Sequence, residues 1–136
     1  MPTAGYSGTP LAKKLGIKEG MVVGVVGGPA DLAAKLKPVP PDVEFRGSLR
    51  GRLDVALLFV TRKAELSRRF PSAGRAIFPN GGFWVAWPKR ASKVPTDITE
   101  DTIRELVLPA GLVDVKVCAI DEVWSGLRIV WRKENR

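Results

Sequence analysis

The chain contains no histidine and only one cysteine, Cys118, among its 136 residues. Without histidine there is no side chain whose unperturbed pKa lies near neutrality, so every Ser-His-Asp or Cys-His arrangement is excluded. The commonest zinc ligand is missing with it. Only a hard cation held by carboxylates remains, and the acidic residues lack the spacing of a calcium loop, so no metal is expected. A lone cysteine cannot close an internal disulfide, and its position in the alternating Val115-Lys116-Val117-Cys118 suits a small buried side chain. Long apolar runs are scarce too. The longest, Val55-Ala56-Leu57-Leu58-Phe59-Val60, falls far short of the ~18 residues of a membrane span. The N-terminus lacks the apolar core of a signal peptide, and a reducing cytoplasmic location is expected.

What is present suits one domain with one core: 45% of the residues are apolar. The expected organisation is a tail over residues 1–10 and a single domain over 11–136. The net charge of +8 is uneven, with 8 basic and 4 acidic residues in 1–53, 8 and 2 in 54–95, and 6 and 8 in 96–136. The middle third supplies the excess, which favours anionic partners at low salt or simply forms a solvated basic face.

Along the chain, Thr9 followed by Pro10-Leu11-Ala12-Lys13-Lys14-Leu15 and Gly16 predicts a short helix, with Thr9 as N-cap and Pro10 at its first position. Met21 to Val26 is apolar throughout and bounded by glycines, which predicts a strand buried on both faces. Pro29 opens a second short helix through Leu32 and Leu36, ended by the prolines between 38 and 41. Asp42 to Phe45 alternates as a strand, Arg46 to Arg52 reads as a basic loop, and Asp54 to Val60 is a second buried strand.

An amphipathic helix is expected from Arg62 to Ala76, interrupted at Pro71 and resumed from Ser72 to Phe78. Phe83 to Trp87 is a strand. Thr99 caps a helix carrying Ile103, Leu106, Val107 and Ala110, Ile98 can staple onto Ile103, and Gly111 ends it. Val113–Ile120 and Leu127–Trp131 close the chain as a hairpin around a loop from Asp121 to Gly126. Strands separated by helices predict a single three-layer Rossmann-like α/β domain, with a mostly parallel sheet of about six strands ending in an antiparallel hairpin.

This order resembles a shortened class I methyltransferase-like Rossmann domain over nearly the whole chain. Leu15-Gly16-Ile17-Lys18-Glu19-Gly20 before Met21-Val22-Val23 resembles the approach to that fold's first strand. Leu53-Asp54-Val55-Ala56-Leu57 resembles its fourth, and Pro79-Asn80-Gly81-Gly82-Phe83-Trp84-Val85 its fifth. The segment from Ile98 through Ala110-Gly111-Leu112 is similar to its last helix. The N-terminal Ala4 to Gly16, Trp87-Pro88-Lys89 and Asp121-Glu122-Val123-Trp124-Ser125-Gly126-Leu127 resemble a bacterial family designated domain of unknown function 3052. The methyltransferase resemblance implies S-adenosylmethionine, held by a Gly-rich turn after the first strand and a ribose-binding acidic residue at the end of the second. Here the turn is Val23-Gly24-Val25-Val26-Gly27-Gly28-Pro29 and the second strand ends Phe45-Arg46, with Glu44 the nearest carboxylate. The third strand and its helix are missing. No cofactor is therefore expected.

Candidate site residues follow from the geometry of open parallel sheets, which bind ligands at the C-terminal ends of their strands. Gly27, Gly28, Thr61, Lys89, Asp121, Glu122, Trp124 and Ser125 are expected on that rim. Gly27-Gly28 could present amides to an anion or merely permit a tight turn. Lys89, with Arg90, Ser92 and Lys93, could neutralise an anion or form a solvated loop. Trp124 could cover an apolar ligand or cap the core, while Asp121 and Glu122 could accept hydrogen bonds or pair with Lys89. The other tryptophans suit packing. The first functional expectation is a non-catalytic or cryptic ligand-binding or interaction module, taking an anionic small molecule or a protein partner. The alternatives are a small-molecule transferase of the S-adenosylmethionine-dependent methyltransferase kind and weak, non-specific nucleic-acid binding.

Overall fold

The computed structural model describes residues 9–136, so most of the expected tail lies outside the described residues. Helix α1 (Leu11–Lys14) leads into strand β1 (Val22–Val26), helix α2 (Leu32–Leu36), and strands β2 (Glu44–Arg46) and β3 (Val55–Phe59). Helix α3 (Lys63–Ile77), strand β4 (Gly82–Pro88), helix α4 (Glu100–Val107) and the hairpin of β5 (Leu112–Ala119) and β6 (Trp124–Trp131) complete the order. The six strands form one sheet in the order β2-β1-β3-β4-β6-β5. The pairs β2–β1, β1–β3 and β3–β4 are parallel, whereas β6 runs antiparallel to both β4 and β5.

Strand β3 shows why the central runs are apolar at every position. Ala56, Leu58 and Val60 face α3 and α4, packing with Leu66, Ile77, Ile103 and Val107. Val55, Leu57 and Phe59 face the other way, onto Leu11, Leu15, Leu32 and Leu36 of α1 and α2. Covered on both sides, the strand has no polar face to alternate with. Strand β1 is less enclosed, with Val23 buried but Val25 and Val26 half-exposed. Its neighbour β2 has only three residues and forms the sheet edge.

Two tryptophans packed in the core place their ring N–H groups on backbone carbonyls. Trp84 donates to Leu15 O at 3.0 Å across the α1 face, and Trp131 donates to Gly74 O at 2.8 Å in α3. Thr99 accepts from the Thr102 amide as expected of the α4 cap, with Ile98 and Ile103 both buried beside it. Gly111, at φ +92°, ends the short 3-10 turn that follows α4.

Several boundaries differ from expectation: α2 opens at Leu32 rather than at Pro29, and α4 ends at Val107, short of Gly111. Pro10 is the cap residue of α1 rather than its first helical residue, and no side chain caps that helix. Helix α3 runs unbroken through Pro71. Pro71 lies on its exposed face, where water can serve the carbonyl that loses an amide partner. Strand β2 begins at Glu44 rather than Asp42. Trp124 opens β6 instead of lying in a six-residue loop, because Asp121 Oδ1 accepts from the amides of both Val123 and Trp124 at 2.8 Å and tightens the turn. Among the described residues no helix is long and apolar enough to cross a membrane.

Candidate functional site

The parallel strands deliver their following segments to one edge of the sheet. There Gly27 follows β1, Thr61 lies just beyond β3, Lys89 follows β4, Asp121 to Val123 lie between β5 and β6, and Trp124 and Ser125 open β6. Pro88 is the register partner of Trp124, Trp87 that of Ser125, and the Lys89 amide donates to Val123 O at 2.7 Å. Lys89 and Trp124 therefore share this edge. Trp124 stacks edge-on against Phe59, the last residue of β3, with ring centroids 5.1 Å apart. Gly27 adopts φ +76°, and a Cβ there would sit 2.7 Å from Phe59 O, so its backbone packs directly on the end of β3. Gly28 is equally close to side chains: a Cβ would meet Leu32 at 3.0 Å and Val25 at 3.2 Å.

Several polar groups on this edge are committed to internal partners. Asp121 is buried, and its Oδ2 accepts from Lys35 Nζ of α2 at 2.8 Å while Oδ1 holds the turn amides. Lys35 also pairs with Asp31 at 3.1 Å. Burial opposes ionisation of Asp121, yet the hydrogen bonds from Lys35, Trp124 and Val123 outweigh it and hold the carboxyl below the usual value. The bond to Asp121 correspondingly raises the Lys35 ammonium above its ordinary range, against partial desolvation. Of the two roles open to Asp121, accepting hydrogen bonds or pairing with Lys89, the structure shows the first, with a bridge to α2 that crosses the rim. Thr61 O accepts from Thr96 Oγ1 at 2.6 Å, and Asp97 Oδ1 accepts from the Lys63 amide at 2.6 Å, stitching the segment after β4 to the start of α3. Ser92 Oγ donates to Lys89 O at 2.6 Å and accepts from the Val94 amide, which uses the hydroxyl within its own turn. Glu122 is exposed and Ser125 is half-buried.

Strand β2 ends in an ion pair. Arg46 is the last residue of that strand and bonds Glu44 Oε2 through Nε at 2.6 Å, while Glu44 pairs in register with Val22 at the opposite end of β1. A carboxylate positioned to accept from ribose hydroxyls is replaced here by a guanidinium, which can only donate. The resemblance implies an acidic residue at the end of β2, where this chain has Arg46 with the Glu44 carboxylate beside it.

Sequence reasoning missed a concave site on the α3 side of β1. It has a volume of about 530 Å³ and is lined by Val26, the loop residues Gly47, Ser48, Leu49 and Arg50, and Arg68, Arg69 and Ser72 of α3. The loop reaches this place because β2 leads straight back to β3, and Gly24 lets it approach: a Cβ there would lie 2.5 Å from Ser48 O. The pair Arg68-Arg69 with Ser72 one turn on was the available signal, since those spacings share a helix face. An apolar groove on the other side of β1 is lined by Val25, Ala33, Leu36, Val39 and Phe45, with a volume of about 460 Å³. Among the described residues no three histidine, cysteine, aspartate or glutamate side chains converge as a metal site would require.

The architecture has solved counterparts. A SAM-dependent methyltransferase from Aquifex aeolicus matches at TM-score 0.56 and 14% identity, over 88% of this chain and 86% of that one. The chain has the methyltransferase-like Rossmann fold. Mitomycin 7-O-methyltransferase MmcR matches at TM-score 0.62 and 14% identity over 87% of this chain, which spans only 50% of that enzyme. Magnesium protoporphyrin IX methyltransferase (ChlM) from Synechocystis PCC 6803 with bound SAM matches at TM-score 0.58 and 9% identity, over 90% and 74% of the two chains. No family model and no curated protein matches the chain. Identities this low establish the fold and leave chemistry to the site itself.

Proposed function

We propose that the chain is a non-catalytic ligand-binding or interaction module on a methyltransferase-like scaffold, taking an anionic small molecule or a protein partner. The observation that carries this reading is the state of Asp121: the buried acid of the rim has one oxygen on Lys35 and the other on two backbone amides. A group so engaged holds the rim together and is poorly placed to move a proton. Arg46 at the end of β2 and the close seating of Gly27 on Phe59 support the same view. A cytoplasmic location and kinship with the bacterial family resembled by Trp87-Pro88-Lys89 and Asp121 to Leu127 belong to this reading.

A small-molecule transferase is the second reading, favoured by the likeness to a methyltransferase solved with bound SAM. A native mass spectrum of freshly purified protein separates the two. The module reading expects a retained anionic metabolite or a protein subunit. A retained mass of S-adenosylmethionine or S-adenosylhomocysteine contradicts it.

A further inference from the structure

We infer that the cleft between α3 and the loop after β2 is a binding site for a phosphorylated small molecule, a phosphate monoester with an apolar or aromatic body. The inference rests on the module reading and names its ligand class and location.

Three guanidiniums line one cavity, and they come from two elements: Arg50 from the loop, Arg68 and Arg69 from α3. Among the described residues only one carboxylate answers them. Glu65 Oε2 lies 3.3 Å from Arg69 Nε and 4.0 Å from Arg68 Nη2, whereas Arg50 has no ion pair among the described residues. Two positive charges are left over around one concave surface, so their fields add where an anion would sit. A phosphate monoester dianion, with a charge of about −2 and three acceptor oxygens, balances that excess. Guanidinium forks match phosphate geometry with paired N–H donors, as a lysine ammonium does not. The remaining wall is suited to an organic substituent, since Val26 and Leu49 are apolar and half-buried. A volume of about 530 Å³ holds much more than a bare phosphate and matches an ordinary metabolite pocket. Ser72 Oγ, which already accepts from Arg75 Nη2 at 3.2 Å, retains a hydroxyl proton to donate. The site lies away from the Asp121–Lys35 bridge, so binding here asks nothing of the closed rim.

The test is a titration of isotope-labelled full chain with phenyl phosphate, followed by amide chemical shifts at constant ionic strength. The expected result is saturable shifts confined to Val26, Gly47–Arg50 and Arg68–Ser72, tighter than with inorganic phosphate and weaker below pH ~6, where the dianion takes up a proton. An Arg68→Ala, Arg69→Ala variant should weaken binding at least tenfold, as should Arg50→Ala, both retaining the wild-type spectrum elsewhere. An Arg90→Ala, Lys93→Ala variant should bind like wild type. Shifts centred on another surface, equal weakening in the Arg90/Lys93 variant, or no saturable response would overturn the assignment. A duplex DNA that displaces phenyl phosphate at far lower concentration would overturn it in favour of nucleic acid. Failure here leaves the module reading standing; S-adenosylmethionine binding would remove that reading without moving the phenyl phosphate shifts.

Discussion

At the residue scale, the Asp121–Lys35 bridge makes a quantitative demand on pH. The folded-state pKa of Asp121 is depressed below the unfolded value of about 3.9. Its contribution is therefore complete above about pH 5 and disappears as acid protonates the folded carboxyl. The raised Lys35 works in the other direction: its contribution is complete below the unfolded pKa of about 10.4 and is lost as pH rises through the folded value. Asp121→Asn keeps the turn amides served by the amide oxygen but loses the charge. Because Lys35 is partly exposed and screened, a loss of about 1–2 kcal/mol at pH 7 is expected from urea denaturation. The two proteins should converge in stability once acid protonates the folded Asp121 carboxyl. A second residue-scale test is Trp84→Phe, which strands Leu15 O in a buried site and removes ring volume. About 2–4 kcal/mol should be lost in guanidinium unfolding.

At the scale of elements, the unbroken α3 offers the converse experiment. Pro71 sits on the exposed face of that helix, where it withholds an amide from the carbonyl one turn back without burying the defect. Pro71→Ala should stabilise the fold by about 1–2 kcal/mol: the helix gains from losing proline, and the unfolded chain gains freedom in opposition. Thermal unfolding would read this as a rise in Tm, and a fall would show that Pro71 sets a bend the packing needs. The elements themselves were largely legible. The runs Val55–Val60 and Phe83–Trp87 declare buried strands because both faces are covered, and Thr99 with Ile98 and Ile103 declares the start of α4. Boundaries set by tertiary contacts were not. Trp124 reads as a loop residue until Asp121 is seen to gather two amides and draw it into β6.

At the scale of the whole molecule, the sheet order and the expected rim follow from strand and helix succession, but the partners on the rim do not. Lys35 and Asp121 are 86 residues apart, and nothing local marks either for the other. The arginine cleft was hidden for a similar reason, because Arg50 meets Arg68 and Arg69 only where the loop between β2 and β3 folds across β1. The net charge of +8 carries its own expectation. Binding to duplex DNA should be weak and indifferent to sequence, and should fall steeply between about 50 and 200 mM salt in an anisotropy assay. Discrimination between sequences that persists at the higher salt would mean a base-reading surface exists.

In the proposed reading the methyltransferase-like fold serves binding without S-adenosylmethionine, consistent with Arg46 ending β2 and with the Lys35–Asp121 and Phe59–Trp124 contacts on the rim. Calorimetric titration of the purified chain with S-adenosylmethionine at neutral pH tests it most directly. Unsatisfied ribose hydroxyls would be desolvated without compensation, so no saturable heat is predicted up to about 1 mM ligand. One-to-one binding with a Kd of about 10 µM or tighter would contradict the claim and return the chain to the enzymes whose fold it shares.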